Sequence, residues 1–263
     1  MSAGESKGTR EDLLLAFDAS WGVASVAVGF GDTVLASRLL TARGEHARRL
    51  VPAIDEVLAE AGVNRSGIGG IVVGRGPGSF TGVRVAAATA RALAVGLQVP
   101  LWTHSSLAAG AASKRTELPA DPEVGGTGDF PGLPEEAGEW PRFVLLDARG
   151  RRIYAGCYRI LDDAVETLVR PHATTVDELV LQQLPQRVLF CGDGAMNHAG
   201  FLEDRGHIFL PPPVGFPTAE GLLRWHRRQR DEPPLEPGSS WEPEYLRGTW
   251  SRPADVRSHV PQG

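Results

Sequence analysis

Apolar residues dominate two short runs near the start, Leu13 to Phe17 and Val23 to Phe30, the first ending on Asp18-Ala19-Ser20. Runs of this length bounded by turn residues predict buried strands. Gly31-Asp32 then predicts a hairpin into a third strand, Thr33 to Leu40. The period changes next. Ala47, Leu50, Val51, Ile54, Val57, Leu58 and Ala61 fall at steps of three and four, with Arg48, Arg49, Asp55, Glu56 and Glu60 on the other face. That is an amphipathic helix, and Gly62 ends it. A strand at Gly70 to Val73, a glycine-rich turn, an alanine-rich helix at Thr81 to Val95, a strand at Val99 to Thr103 and a short helix of small residues from Ser105 to Ala112 follow.

The second half repeats the pattern in reduced form. Phe143 to Leu146 and Ile153 to Ile160 predict a hairpin around Asp147-Ala148-Arg149-Gly150, and Val165 to Val169 a further strand. Thr175-Val176-Asp177-Glu178 is a capping-box sequence opening a helix to about Gln183. Val188 to Cys191 and Ile208 to Leu210 complete the strands, and Thr218 to Arg228 is the last helix. Three antiparallel strands followed by helix-linked crossovers form the half-unit of the two-lobed actin-like ATPase (ribonuclease H-like) α/β fold, with mixed sheets flanked by helices. The expected division is a flexible tail at 1–12, an N-terminal lobe at 13–112, a Pro/Gly/acidic insertion or linker at 113–141, a reduced C-terminal lobe at 142–250 and a flexible tail at 251–263.

Composition narrows the function. The 263 residues are 42% hydrophobic and 22% charged, enough to bury a sizeable core. A formal net charge of -5 with short, scattered arginine pairs (Arg48-Arg49, Arg151-Arg152, Arg227-Arg228) argues against a stand-alone nucleic-acid surface. The two cysteines, Cys157 and Cys191, sit in apolar runs, which predicts buried free thiols in a reducing compartment. No apolar run reaches membrane-spanning length and no signal-peptide pattern opens the chain, so no membrane association and a cytoplasmic location are expected.

The glycine turn, Gly74-Arg75-Gly76-Pro77-Gly78-Ser79-Phe80-Thr81-Gly82-Val83-Arg84, resembles a phosphate loop only superficially. A Walker loop requires Lys-Ser/Thr after its last glycine, and Val83-Arg84 stands there instead. The dinucleotide pattern fails at its third glycine, which is Ser79 or Thr81 here. What remains is a strand-to-helix turn with Ser79 or Thr81 as the helix cap and an N-terminus at which an anion is conceivable. The helix that follows carries only Arg84 and Arg91 as charges and is apolar almost all round, so it needs cover on more than one side. Its small residues admit a second helix at close range. A protein–protein face shared with the Ala47–Ala61 helix is therefore expected, and Glu at Ala87 or Ala90 is expected to abolish association while leaving the monomer folded.

Taken together, Gly76-Pro77-Gly78-Ser79-Phe80-Thr81-Gly82-Val83-Arg84, Asp18-Ala19-Ser20, the Leu50-Val51-Pro52 helix core, Asp147-Ala148-Arg149 with Ile153-Tyr154, and Pro243-Glu244-Tyr245-Leu246-Arg247 resemble the TsaB (YeaZ) family, the non-catalytic subunit of bacterial tRNA threonylcarbamoyladenosine synthesis. The match is good over about 13–112 and looser over 142–247; it departs at the insertion, at Ala19 and at Arg149-Gly150-Arg151-Arg152. The resemblance implies a scaffold with no catalytic residue, pairing with a TsaD-type catalytic subunit that transfers threonylcarbamoyl to the adenosine beside the anticodon. A TsaE-type ATPase acts on the pair, tRNA is contacted only indirectly, and the lone chain forms a homodimer through the same helices. Transposed here, the contacts are His46, Leu50, Ile54, Arg84, Ala87, Ala90, Arg91 and Ala94, and the signature loop is Gly76, Pro77, Gly78, Ser79, Thr81 and Gly82. TsaD's His-x-x-x-His metal pair corresponds to Ser106 and Gly110, so no metal is expected here. ATP or ADP and metal are expected only with the partner subunits. His104 is expected to be a loop or packing residue.

The alternative is an active ATP-dependent kinase or phosphotransferase. It rests on Asp18 and Asp147 ending equivalent strands, facing a shared magnesium-holding cleft beside a Gly192-Asp193-Gly194-Ala195 adenosine loop with Asn197. A peptidase would need Ser79, His46 and Asp55 to meet, without any local signature in support.

Overall fold

The computed structural model describes residues 13–41, 46–114, 139–150, 152–181, 187–210, 214–229, 231–236, 241, 243, 244 and 246. Both expected tails and nearly all of the 113–141 insertion lie outside these residues, as do Gln183, Tyr245 and Arg247.

The first sheet orders as β3-β2-β1-β4-β5, from β1 (Leu14–Asp18), β2 (Ala24–Phe30), β3 (Thr33–Leu40), β4 (Gly70–Gly74) and β5 (Leu101–His104). β1–β2 and β2–β3 pair antiparallel, while β4 pairs parallel with both β1 and β5. Alternation along β1 sorts the side chains. Leu15 and Phe17 enter the core under α1 (His46–Glu60) and α2 (Phe80–Leu97). Leu14 and Ala16 point to the opposite face.

The second sheet orders as β10-β9-β6-β7-β8, from β6 (Arg142–Asp147), β7 (Arg152–Ile160), β8 (Val165–Thr175), β9 (Leu189–Cys191) and β10 (Ile208–Phe209). It repeats the first topology with the edges in the reverse listing. β8 runs to Thr175, six residues past its expected end at Val169. The strand carries Pro171, which an edge strand tolerates because its missing N–H faces no partner. Thr175 then forms the expected capping box of α4 (Val176–Val180), its side chain accepting from Glu178 N while Glu178 accepts from Thr175 N. Two short helices not expected from sequence, α5 (Asp193–Met196) and α6 (Ala199–Glu203), pack with α4 over Phe143, Leu145 and Phe190.

The last helices of the two halves occupy the space between the sheets. α7 (Ala219–Arg228) lays Ala219, Leu222 and Leu223 on Leu14, Ala16 and Val72 of the first sheet. α3 (Ser106–Ala112) sets Leu107, Ala108 and Ala111 against Val144 and Leu146 of the second. Helix α7, expected within the 142–250 lobe, thus packs on the first sheet. The segment after it does the same: Leu235 N donates to Leu101 O (2.8 Å) and Glu244 N to Arg75 O (2.7 Å). The layers are α1/α2, first sheet, α3/α7, second sheet, α4/α5/α6. Cys157 and Cys191 are free and buried, and burial pushes both thiols up to about 12.

Candidate partner-binding face

The glycine turn connects β4 to α2, and its glycines are required by what they touch. A Cβ on Gly74 would stand 1.8 Å from Asp18 Oδ2, one on Gly78 2.1 Å from Ser20 O, and one on Gly82 1.8 Å from Ala19 O. The turn is thereby pressed onto the Asp18-Ala19-Ser20 corner. Gly76 takes φ 92°, and the Gly76–Pro77 bond is cis. The turn's N–H groups are already engaged. Ser79 N donates to Ser20 O (2.5 Å), Gly76 N to Ser106 Oγ (3.1 Å), Gly82 N to Ser79 Oγ (3.3 Å) and Val83 N to Ser79 O (2.9 Å). Ser79, not Thr81, is the cap. Those four donors are spent internally, and the turn acts as a packing motif against the Asp18-Ala19-Ser20 corner.

That motif fixes where α2 starts. α1 and α2 lie side by side on the first sheet, and burial sorts the expected contact residues. Leu50 (0% exposed), Ile54 (3%) and Ala90 (0%) belong to the core, and Ala87 is 7% exposed. These four face the chain's own interior, because the stripe that made the helices legible is the stripe that binds the sheet. Ala94 is half-buried against the same core. His46 opens α1, but its side chain lies outside the described residues. Arg84 and Arg91 do face outward. Arg84 stacks over the Phe80 ring at 3.7 Å, and Arg91 donates to Trp241 O beside the Trp241 ring. The outer face also holds Val51 (46% exposed), Phe80 (55%), Ala88 and Val95 (78%), none of them expected as a contact residue, and Val51, expected in the helix core, is thereby moved outward. For Ala88 and Val95 the signal was present: they are apolar positions left over once the sheet-facing side of α2 is assigned. α2 is long and apolar enough to cross a membrane by length and composition; here one side of it is packed on the sheet.

The kinase geometry does not form. Asp18 is 1% exposed, and both its carboxylate oxygens accept hydrogen bonds, from Ser20 N (2.7 Å) and Ser106 Oγ (2.6 Å). Burial pushes its pKa above the usual carboxylate value, against the pull of those donors. It is a buried brace, not a metal ligand facing a cleft. Asp147 is exposed and accepts from Arg149 N (2.8 Å). Asp193 of the adenosine-loop sequence is likewise engaged, its Oδ2 accepting from Trp21 Nε1 (2.6 Å) and its Oδ1 from Asp147 N (3.0 Å). A metal held at positions 106 and 110 does not fit either. The Ser106 hydroxyl is spent on Asp18, and a Cβ at Gly110 would lie 2.4 Å from Gly215 O. The residues of the peptidase arrangement have other roles: Ser79 caps α2 and Asp55 accepts from Arg65 (2.9 Å from Nε).

His104 is 2% exposed. Its Nε2 lies 3.0 Å from His226 Nδ1 and its Nδ1 3.2 Å from Glu232 Oε2, joining β5, α7 and the segment that returns to the first lobe. Desolvation, with His104 as neighbour, pushes His226 down to about 4. His104 and Glu232 line a cavity of about 680 Å³, where Arg75 faces Glu244 (3.5 Å) and Arg228 is paired with Asp32 (2.9 Å).

Residues 40–129 match the family described as TsaD, tRNA N6-adenosine threonylcarbamoyltransferase. The tRNA threonylcarbamoyladenosine biosynthesis protein TsaB of Bacillus subtilis is 28% identical over 193 residues, 73% of this chain and 75% of that protein. Its namesake in Escherichia coli is 27% identical over 213 residues, 80% and 84% of the two chains. YeaZ from Pseudomonas aeruginosa superposes with a TM-score of 0.67 at 27% identity, over 89% of this chain and 100% of its own. The chain is similar to the TsaB (YeaZ) proteins over most of its length. The likeness to YeaZ extends through both lobes, including the second, matched more loosely by its motifs, and the actin-like ATPase fold expected from strand order stands.

Proposed function

We propose that this chain serves tRNA threonylcarbamoyladenosine biosynthesis as a non-catalytic subunit, presenting the outer face of α1 and α2 to a TsaD-type catalytic subunit. The names of its relatives support the pathway. The observation that carries the role is the exposed apolar face of Val51, Phe80, Ala88 and Val95 on two adjacent helices. Exposed apolar area on neighbouring, rigidly seated elements is characteristic of an association surface. In the absence of that subunit the same face pairs with a second copy. Nucleotide, metal and the TsaE-type ATPase belong to the assembled complex, tRNA is met beside the catalytic subunit, and the setting is the cytoplasm.

Tagged chain mixed with the TsaD-type protein of the same organism is expected to elute with it as one species. Introducing Ala88→Glu is expected to return both to separate elution. Stable co-elution with a folded Ala88→Glu variant would place the contact elsewhere.

A further inference from the structure

We propose that Trp21 is a latch between the two lobes, its indole bridging from the Asp18-Ala19-Ser20 corner to Phe216 and Asp193 so that the angle between the halves depends on it. Trp21 follows the Asp18-Ala19-Ser20 corner of the first lobe, which is pinned from behind by the glycine turn through Ser79 N and Ser20 O (2.5 Å). The indole reaches across to stack on Phe216, with ring centroids 4.1 Å apart and planes 20° from parallel. Its Nε1 donates to Asp193 Oδ2 at 2.6 Å.

The acceptor is itself fixed. Asp193 Oδ1 accepts from Asp147 N at 3.0 Å, so both of its oxygens are committed and its rotamer is set. Phe216 is held by the backbone beside it, where Gly215 takes φ 91° and donates from its N to Gly110 O (3.1 Å). One side chain therefore combines offset stacking, a directional hydrogen bond and an anchored base on each lobe. In a two-lobed fold these contacts lie where rotation of one lobe against the other is resisted.

The test uses the full chain with spin labels at Ser66→Cys in the first lobe and Asp204→Cys in the second, both exposed; the native cysteines are buried. The latched chain is expected to give one narrow distance distribution. Trp21→Ala is expected to broaden it and shift its mean, and added free indole is expected to restore it. Trp21→Phe, which keeps a ring but loses the N–H, and Asp193→Asn carry the test if Trp21→Ala does not fold; each is expected to broaden the distribution. Unchanged distributions in folded Trp21→Phe and Asp193→Asn, or a broadened Trp21→Ala that indole leaves unaltered, would overturn the latch.

Discussion

His226 and Asp18 are buried ionisable groups of opposite kind, and each leaves a signature in the pH dependence of stability. His226 is held at about 4, below the value of 6.5 it takes when unfolded. Below pH 6.5 the unfolded chain therefore binds a proton that the folded chain refuses. The stability is complete above pH 6.5 and is lost as pH falls through 4, amounting to roughly 3 kcal/mol. Urea midpoints between pH 7 and 4 are expected to fall more steeply in the wild type than in His226→Asn; parallel curves would contradict this. Asp18 is pushed the other way. Its folded carboxyl keeps a proton longer than the unfolded one, so stability declines as pH rises from 3.8 through the folded-state value. Asp18→Asn removes that dependence, and its stability relative to wild type is expected to grow with pH over the same window. Neither environment was legible from sequence, because a histidine's partner 122 residues away is set by how α7 folds back.

Elements were the most legible level. Every strand and long helix of the first lobe has its observed position within a few residues of the sequence expectation, since alternation and three-four periodicity are imposed by burial on one face. The same physics hid the binding face. Periodicity picked out Leu50 and Ile54, which pack inward, but it also placed Val51 in that stripe, where the structure leaves it 46% exposed, and in the alanine-rich α2 it gave Ala88 and Val95 no distinct face. Glu at Ala87 or Ala90, expected from sequence to break association in a folded monomer, falls instead on buried positions, whereas Ala88 lies on the exposed side of the same helix. Ala90→Glu places a charge at a fully buried core position, with an expected cost above about 3 kcal/mol, and loss of soluble protein. Ala88→Glu, on the exposed side, is expected to leave the thermal midpoint within a few degrees while lowering the apparent mass on a sizing column. Equal midpoints for the two variants would show that α2 is seated differently.

At the scale of the whole molecule, strand order was enough to give the fold, but not the interlocking of its halves. The exchange of α3 and α7 between the sheets, and the return of Leu235, Trp241 and Glu244 to the first lobe, involve partners far away in sequence with no local period to announce them. Their only trace was a scatter of apolar residues, Leu235 and Trp241, in a proline-rich stretch. The finished molecule has its glycine turn packed against the Asp18-Ala19-Ser20 corner, Asp18 engaged in a buried brace and Trp21 bonded to Asp193, and Val51, Phe80 and Val95 are exposed on α1 and α2, with Leu35, Leu161, Leu168, Leu181 and Met196 exposed elsewhere. These features support the proposed role in presenting a surface to a partner.

The direct test is threonylcarbamoylation of tRNA reconstituted from purified TsaD-type, TsaE-type and adenylate-forming proteins, with this chain wild type, as Ala88→Glu, or omitted. Full product with the wild type alone, and background product in the other two reactions, is the predicted result. Equal product without this chain, or with its outer helix face reversed in character, would contradict the account.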